Sequence, residues 1–119
     1  MTAATGAGRL AKEKTMTDER FIEILGDVME WRGEIALLAE DAEDAVAQAK
    51  SPRAEAAAEA RLVVLGGADD DLACAESCER AADLIANLQM AAGALGGLHG
   101  AKRIAREIRD ALANAGVAP

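Results

Sequence analysis

Residues 17–49, TDERFIEILGDVMEWRGEIALLAEDAEDAVAQA, decide the fold. Phe21, Ile24, Val28, Trp31, Ile35, Leu38, Ala42, Ala45 and Ala49 recur at spacings of three and four, so one uninterrupted helix with one buried face is expected. Gly26 and Gly33 lie together on the opposite side, as solvent positions or as places where another helix comes close. The stretch holds ten acidic and two basic residues, a net charge of −8 that equals the charge of the whole chain. Beside the apolar seam, Glu23, Asp27, Glu30, Glu34, Asp41 and Asp44 take adjacent helical positions and make an acidic ribbon roughly 32 Å long. Like charges three and four apart cost a helix a few tenths of a kcal/mol per pair. Such a ribbon either meets positive charge or stands in water.

Outward from this helix, residues 1–15 carry a charge of about +2 and read as a loose arm ahead of a single all-helical domain, 16–119. Thr15 or Thr17 can cap the helix start, with Asp18 and Glu19 well placed in the first turn. On the far side, Ser51-Pro52 restarts a helix, with Ser as cap and Pro in the first turn. Residues 53–65 continue it and Gly66-Gly67 reads as its stop. Asp69, Asp70 and Asp71 then open a third helix with the seam Cys74, Cys78, Ala81, Ile85, Leu88, Ala92 and Leu95. Four glycines between Gly93 and Gly100 break the chain. Leu98, Ile104, Ala105, Ile108, Leu112 and Ala115 mark a last helix ending near Gly116.

The expected fold is all-α, a small four-helix, bundle-like domain led by one long acidic helix. Ala makes up about a quarter of the 119 residues, beside one Phe, one Trp and no Tyr, so the core relies on close helix approach. The first helix is expected to be more than twice as long as the second, which leaves part of its seam uncovered. A homodimer is the economical cover for it.

A net charge of −8 argues against direct binding of nucleic acid or of an anionic membrane. Its natural complement is a basic protein surface. Cys74 and Cys78, one turn apart, read as small reduced core residues of a cytoplasmic protein. No apolar run is long enough to span a bilayer.

Several constellations carry candidate chemistry. The ribbon is the foremost, with Lys102, Arg106 and Arg109 (and Arg103) on the last helix as its candidate internal partners. Trp31 lies on the seam and reads as core, or as an interface anchor where the seam is uncovered. Cys74, Cys78 and His99 supply three borderline metal ligands, one short of a closed site. The glycine-rich stretch 93–102 lacks the strand and the Lys-Ser/Thr ending of a phosphate-binding loop and reads as an interhelical turn. With one His, no Ser/His or Cys/His nucleophile pair stands out.

Met29-Glu30-Trp31-Arg32-Gly33-Glu34-Ile35 resembles the first carboxylate motif of the MazG-type nucleoside triphosphate pyrophosphohydrolases. Glu79-Arg80-Ala81-Ala82-Asp83-Leu84-Ile85 resembles the second. The resemblance covers about fourteen residues, and Trp31 and Arg80 stand where that pattern has further glutamates. It implies Mg²⁺ held by Glu30, Glu34, Glu79 and Asp83.

The expected function is non-enzymatic, with no cofactor or metal. The acidic ribbon, Glu23, Asp27, Glu30, Glu34, Asp41 and Asp44, together with Trp31, would dock on a basic, nucleic-acid-handling protein or complex. The concrete version is an inhibitor that mimics nucleic-acid charge, as phage-encoded inhibitors of bacterial defence systems do. The alternatives are a self-assembling structural protein and the Mg²⁺-dependent hydrolase.

Overall fold

A computed structural model describes residues 16–117, so the arm read at 1–15 lies outside the described residues. Among the described residues four helices follow one another: α1 (Asp18–Gln48), α2 (Pro52–Ser77), α3 (Ala81–Gly96) and α4 (Lys102–Asn114). Among the described residues there is no strand.

Local chemistry explains most of the boundaries. Thr17 Oγ1 accepts from the backbone N–H of Arg20 at 3.1 Å, with Asp18 and Glu19 in the first turn, where the helix dipole favours negative charge. Met16, just before the cap, is buried, and Phe21 packs on the same core, the placement of a hydrophobic staple. Ser51 Oγ caps α2 through the N–H of Ala54 at 3.1 Å, and Pro52 follows as the first helical residue. At the other end of the chain Gly116 takes φ +88°, and Val117 N–H reaches back to Leu112 O at 2.9 Å, closing α4.

The middle of the chain corrects the sequence reading. Gly66-Gly67 does not end α2, which runs through both glycines and through Asp69, Asp70 and Asp71 to Ser77. The break comes instead at Cys78–Arg80, where Cys78 and Arg80 are extended. Leu65, Ala68, Leu72 and Ala75 are all buried and carry one seam across the glycines. That apolar anchoring outweighs about 1 kcal/mol of helix propensity lost at each Gly. Cys74, expected in the core, is exposed, and Cys78 is half-buried.

Consecutive helices pack as neighbours, α1 on α2, α2 on α3 and α3 on α4. Ile24, Val28, Trp31 and Ile35 of α1 join Leu65 and Leu72, Leu84, Leu88 and Leu95, and Ile104 and Ile108 in one core. With α2 about 39 Å long against about 46 Å for α1, the large mismatch that favoured a dimer is absent. Arg61 donates to the carbonyl of His99 in the α3–α4 turn, which places that turn beside the middle of α2. Gly100 in the turn has φ +89°, and a Cβ there would come within 2.9 Å of the Arg61 guanidinium. Beyond it, between residues 40 and 60, only Ala42 and Ala58 are buried. The bundle is therefore a four-helix base from which the α1–α2 hairpin continues as a two-helix end.

Candidate functional site

The fold divides the acidic ribbon in two. Its first half faces α4. Glu23 is exposed and pairs with Arg20 at 3.0 Å, and Glu34 pairs with Arg103. Between α1 and α4 runs a groove of about 250 Å³ walled by Arg20, Asp27, Glu30 and Trp31 on one side and Glu107, Asp110 and Asn114 on the other. Burial, then the charges of Glu23 and Glu107, push the Asp27 carboxyl above its ordinary value, with Arg20 opposing.

Trp31 does not stand at the surface. It is 3% exposed, and its indole N–H donates to Glu107 Oε1 at 3.2 Å. Arg103 joins the other Glu107 oxygen to Glu34, and both hydrogen bonds favour its charged form. Trp31, Glu107, Arg103 and Glu34 thus form one polar chain across the α1–α4 side.

Of the four α4 cations expected to meet the ribbon, Arg103 makes the contact, whereas Arg109 turns away to α3 and donates to Ala92 O at 3.3 Å. Lys102 and Arg106 are exposed and make no ion pair among the described residues. Glu107 and Asp110, which complete the acidic groove, were missed from the sequence. Their signal was there, because Arg103, Glu107, Asp110 and Asn114 recur at spacings of four, three and four, one position round from the basic stripe.

The second half of the ribbon belongs to the hairpin end. Asp41 and Asp44 are exposed, as are Glu40 and Glu43 beside them and Glu55 and Glu59 on α2. Among the described residues every ion pair lies in the base, and none involves residues 40–60. That segment holds six carboxylates against Lys50 and Arg53.

Arg32 holds Asp69 through two hydrogen bonds, at 2.9 and 3.3 Å, and Glu76 at 2.7 Å, which ties these two acids of α2 to α1. These bonds raise its guanidinium further above its ordinary value. Beside this clamp an open furrow of about 500 Å³ runs between α1 and α2, lined by Gly33, Ala36, Ala39, Leu62 and Gly66.

The two metal readings find no common place. Glu30 and Glu34 lie on α1, Glu79 in the α2–α3 break and Asp83 in the first turn of α3. Cys74 and Cys78 sit at the other end of α3 from His99, roughly 24 Å along the helix. Among the described residues no three His, Cys, Asp or Glu side chains form a metal-holding group. Both cysteines are free, and burial followed by Asp83 pushes the Cys78 thiol above its ordinary value. No described helix is long and apolar enough to cross a membrane.

No protein-family model matches this chain, and no curated protein or solved structure matches it at a significant level.

Proposed function

We propose that this chain is a non-enzymatic protein-binding module that docks through the acidic end of its α1–α2 hairpin on a basic, nucleic-acid-handling protein. The observation that carries the reading is the cluster of exposed carboxylates at Glu40, Asp41, Glu43 and Asp44, free of ion pairs among the described residues. Spaced along the last turns of α1, with Glu55 and Glu59 on α2 beside them, these charges present a negative field to a partner without first releasing an internal cation. Glu30 and Asp27 extend the face toward the groove, while Glu23 and Glu34 are engaged with arginines. Trp31 acts by fixing Glu107 and α4 in place, not by touching the partner. In the concrete form, the module occupies the partner's nucleic-acid surface by charge mimicry.

The test is capture of partners from lysate, eluted in steps of salt, with the wild type beside two variants. One replaces Glu40, Asp41, Glu43 and Asp44 by Gln or Asn, and the other Glu23, Asp27, Glu30 and Glu34. A basic partner that elutes at moderate salt, is displaced by added nucleic acid and is lost from the first variant supports the reading. A partner retained equally by wild type and both variants sinks it.

A second reading, self-assembly, has its own observation. Ile22, Met29, Leu37 and Val63 are large apolar side chains between 64% and 74% exposed, and three of them lie on the outer side of α1. Sedimentation of the wild type against Met29→Glu decides it. A concentration-dependent mass abolished by the substitution makes self-association the function of that face.

A further inference from the structure

A second feature owes nothing to the acidic face. Between α3 and α4 lies a groove of about 310 Å³, walled by Gln89, Ala92, Gly93, Leu112, Ala113 and Val117. The volume lies at the small end of ligand sites, which combine an apolar lining with a few placed polar groups. One charged side chain, Arg109, lies at its exposed edge against α3. A Cβ on Gly96 would stand 3.0 Å from Arg109 Nη2 and 3.4 Å from Nη1, so the bare glycine lets the guanidinium lie flat against α3.

Of the five N–H donors of Arg109, one is engaged, by Ala92 O at 3.3 Å. That bond accounts for a cation near the C-terminal half of α3, where the helix dipole favours one. It leaves the remaining donors without a carboxylate among the described residues. Among the described residues no acid is brought to Arg109. Glu107 and Asp110, its neighbours on α4, both line the groove on the opposite side of that helix, against α1.

We propose that the α3–α4 groove binds a medium-chain fatty acid, its hydrocarbon on Ala92, Gly93, Leu112 and Ala113 and its carboxylate on the Arg109 guanidinium. The fork of Arg109 matches a carboxylate in paired hydrogen bonds, and the small residues give the chain an apolar floor with Gln89 at its edge. Gly93 serves this directly. It lines the groove, and nothing lies within 4 Å of where its Cβ would be, so a larger side chain there would extend into open space.

Calorimetric titration of the full chain with decanoate, below its micellar concentration, tests the assignment, with decanol as the uncharged control. The wild type is expected to take up one decanoate with a dissociation constant of roughly 10–100 μM. Arg109→Gln should weaken decanoate about tenfold and leave decanol unchanged. Gly93→Leu, which fills the groove and favours the helix, should abolish both. Ala113→Phe blocks the groove from α4 and replaces Gly93→Leu if circular dichroism shows that variant has lost helix. Absence of saturable uptake by the wild type overturns the proposal, as does binding that survives both groove-filling substitutions. So does a wild-type dimer that Gly93→Leu turns into a monomer, because the groove then belongs to a second copy. None of these results bears on the acidic face, whose variants are different residues.

Discussion

The four-helix base and the free end of the α1–α2 hairpin share two helices but are held together differently. In the base, Ile35, Leu65, Leu72, Leu84, Leu88 and Ile108 are fully buried, each side chain contributing about 1.5–3 kcal/mol relative to exposure. In the free end the buried residues are Ala42 and Ala58, whose single methyls contribute about 0.8 kcal/mol apiece. The end is helical because it continues helices rooted in the base, where nucleation has already been met. Ion pairs are confined to the base, where Arg20, Arg32 and Arg103 hold five carboxylates while Asp27, Glu30 and Asp110 stay unpaired, and among the described residues none forms at the end. A region with little core and no ion pairs contributes little to stability, which leaves its surface free for a partner.

The largest effect should come from the base. Leu88→Ala removes a fully buried side chain in the centre of the bundle and is expected to cost about 2–5 kcal/mol in urea denaturation. Native-state hydrogen exchange on the wild type adds the regional reading. Amides between residues 40 and 60 should exchange through local opening, well below the global free energy, while those around Leu72 and Leu88 exchange only by global unfolding. Equal protection in both regions would show that the free end is not a separate region at all.

The division between base and end was only partly legible in the sequence. The seam of α1, both N-caps and the α4 seam of Ile104, Ala105, Ile108 and Leu112 could be read because spacing and capping chemistry are local. The α2–α3 boundary could not, because Gly66-Gly67 carries the usual stop signal and Cys78-Glu79-Arg80 carries none. A phase argument would have found it. At 3.6 residues per turn, Leu65, Ala68, Leu72 and Ala75 face roughly 150° away from Leu84, Leu88, Ala91 and Leu95, so no single straight helix buries both sets. The long α2 is what makes a hairpin end possible, and so the split of the ribbon was hidden along with it. All six ribbon acids were named from the sequence, but their different surroundings depend on α4, whose distance from α1 is a tertiary property. The same holds for Glu107, whose spacing from Arg103 and Asp110 is local but whose bond to Trp31 is tertiary.

A smaller effect is expected at the free end itself. Ala58→Gly loses about 1 kcal/mol of helix propensity and one buried methyl. Its damage should stay local, speeding hydrogen exchange at residues 40–60 without moving the amides of the base. Loss of protection throughout the molecule would mean that the end and base unfold together. Arg32→Met, at the junction, should cost less, a few tenths to about 1 kcal/mol, because the clamp to Asp69 and Glu76 is about one-third exposed. The difference from wild type should shrink in high salt, and an unchanged difference would assign it to packing instead.

The smallest effect tests the acidic groove of the base against the free end by pH. Burial first, and then Glu23 and Glu107, hold the folded-state Asp27 carboxyl above its unfolded value near 3.8. Within that window the native state binds more protons than the unfolded chain, so stability falls as pH rises through it. At neutral pH the charged Asp27 is therefore a small destabilising term, and Asp27→Asn should raise the melting temperature. That advantage should fade as the pH is lowered through the window, and below 3.8 wild-type Asp27 becomes protonated in both states. Asp44→Asn is the matching change at the exposed end, away from α4, and is expected to leave the melt unchanged. If Asp44→Asn stabilises as much as Asp27→Asn, the acids of the two regions repel one another alike, and the groove has no special electrostatics. If Asp27→Asn destabilises at neutral pH, attraction to Arg20 exceeds the cost of burial and of the neighbouring carboxylates, and the groove is a stabilised part of the base.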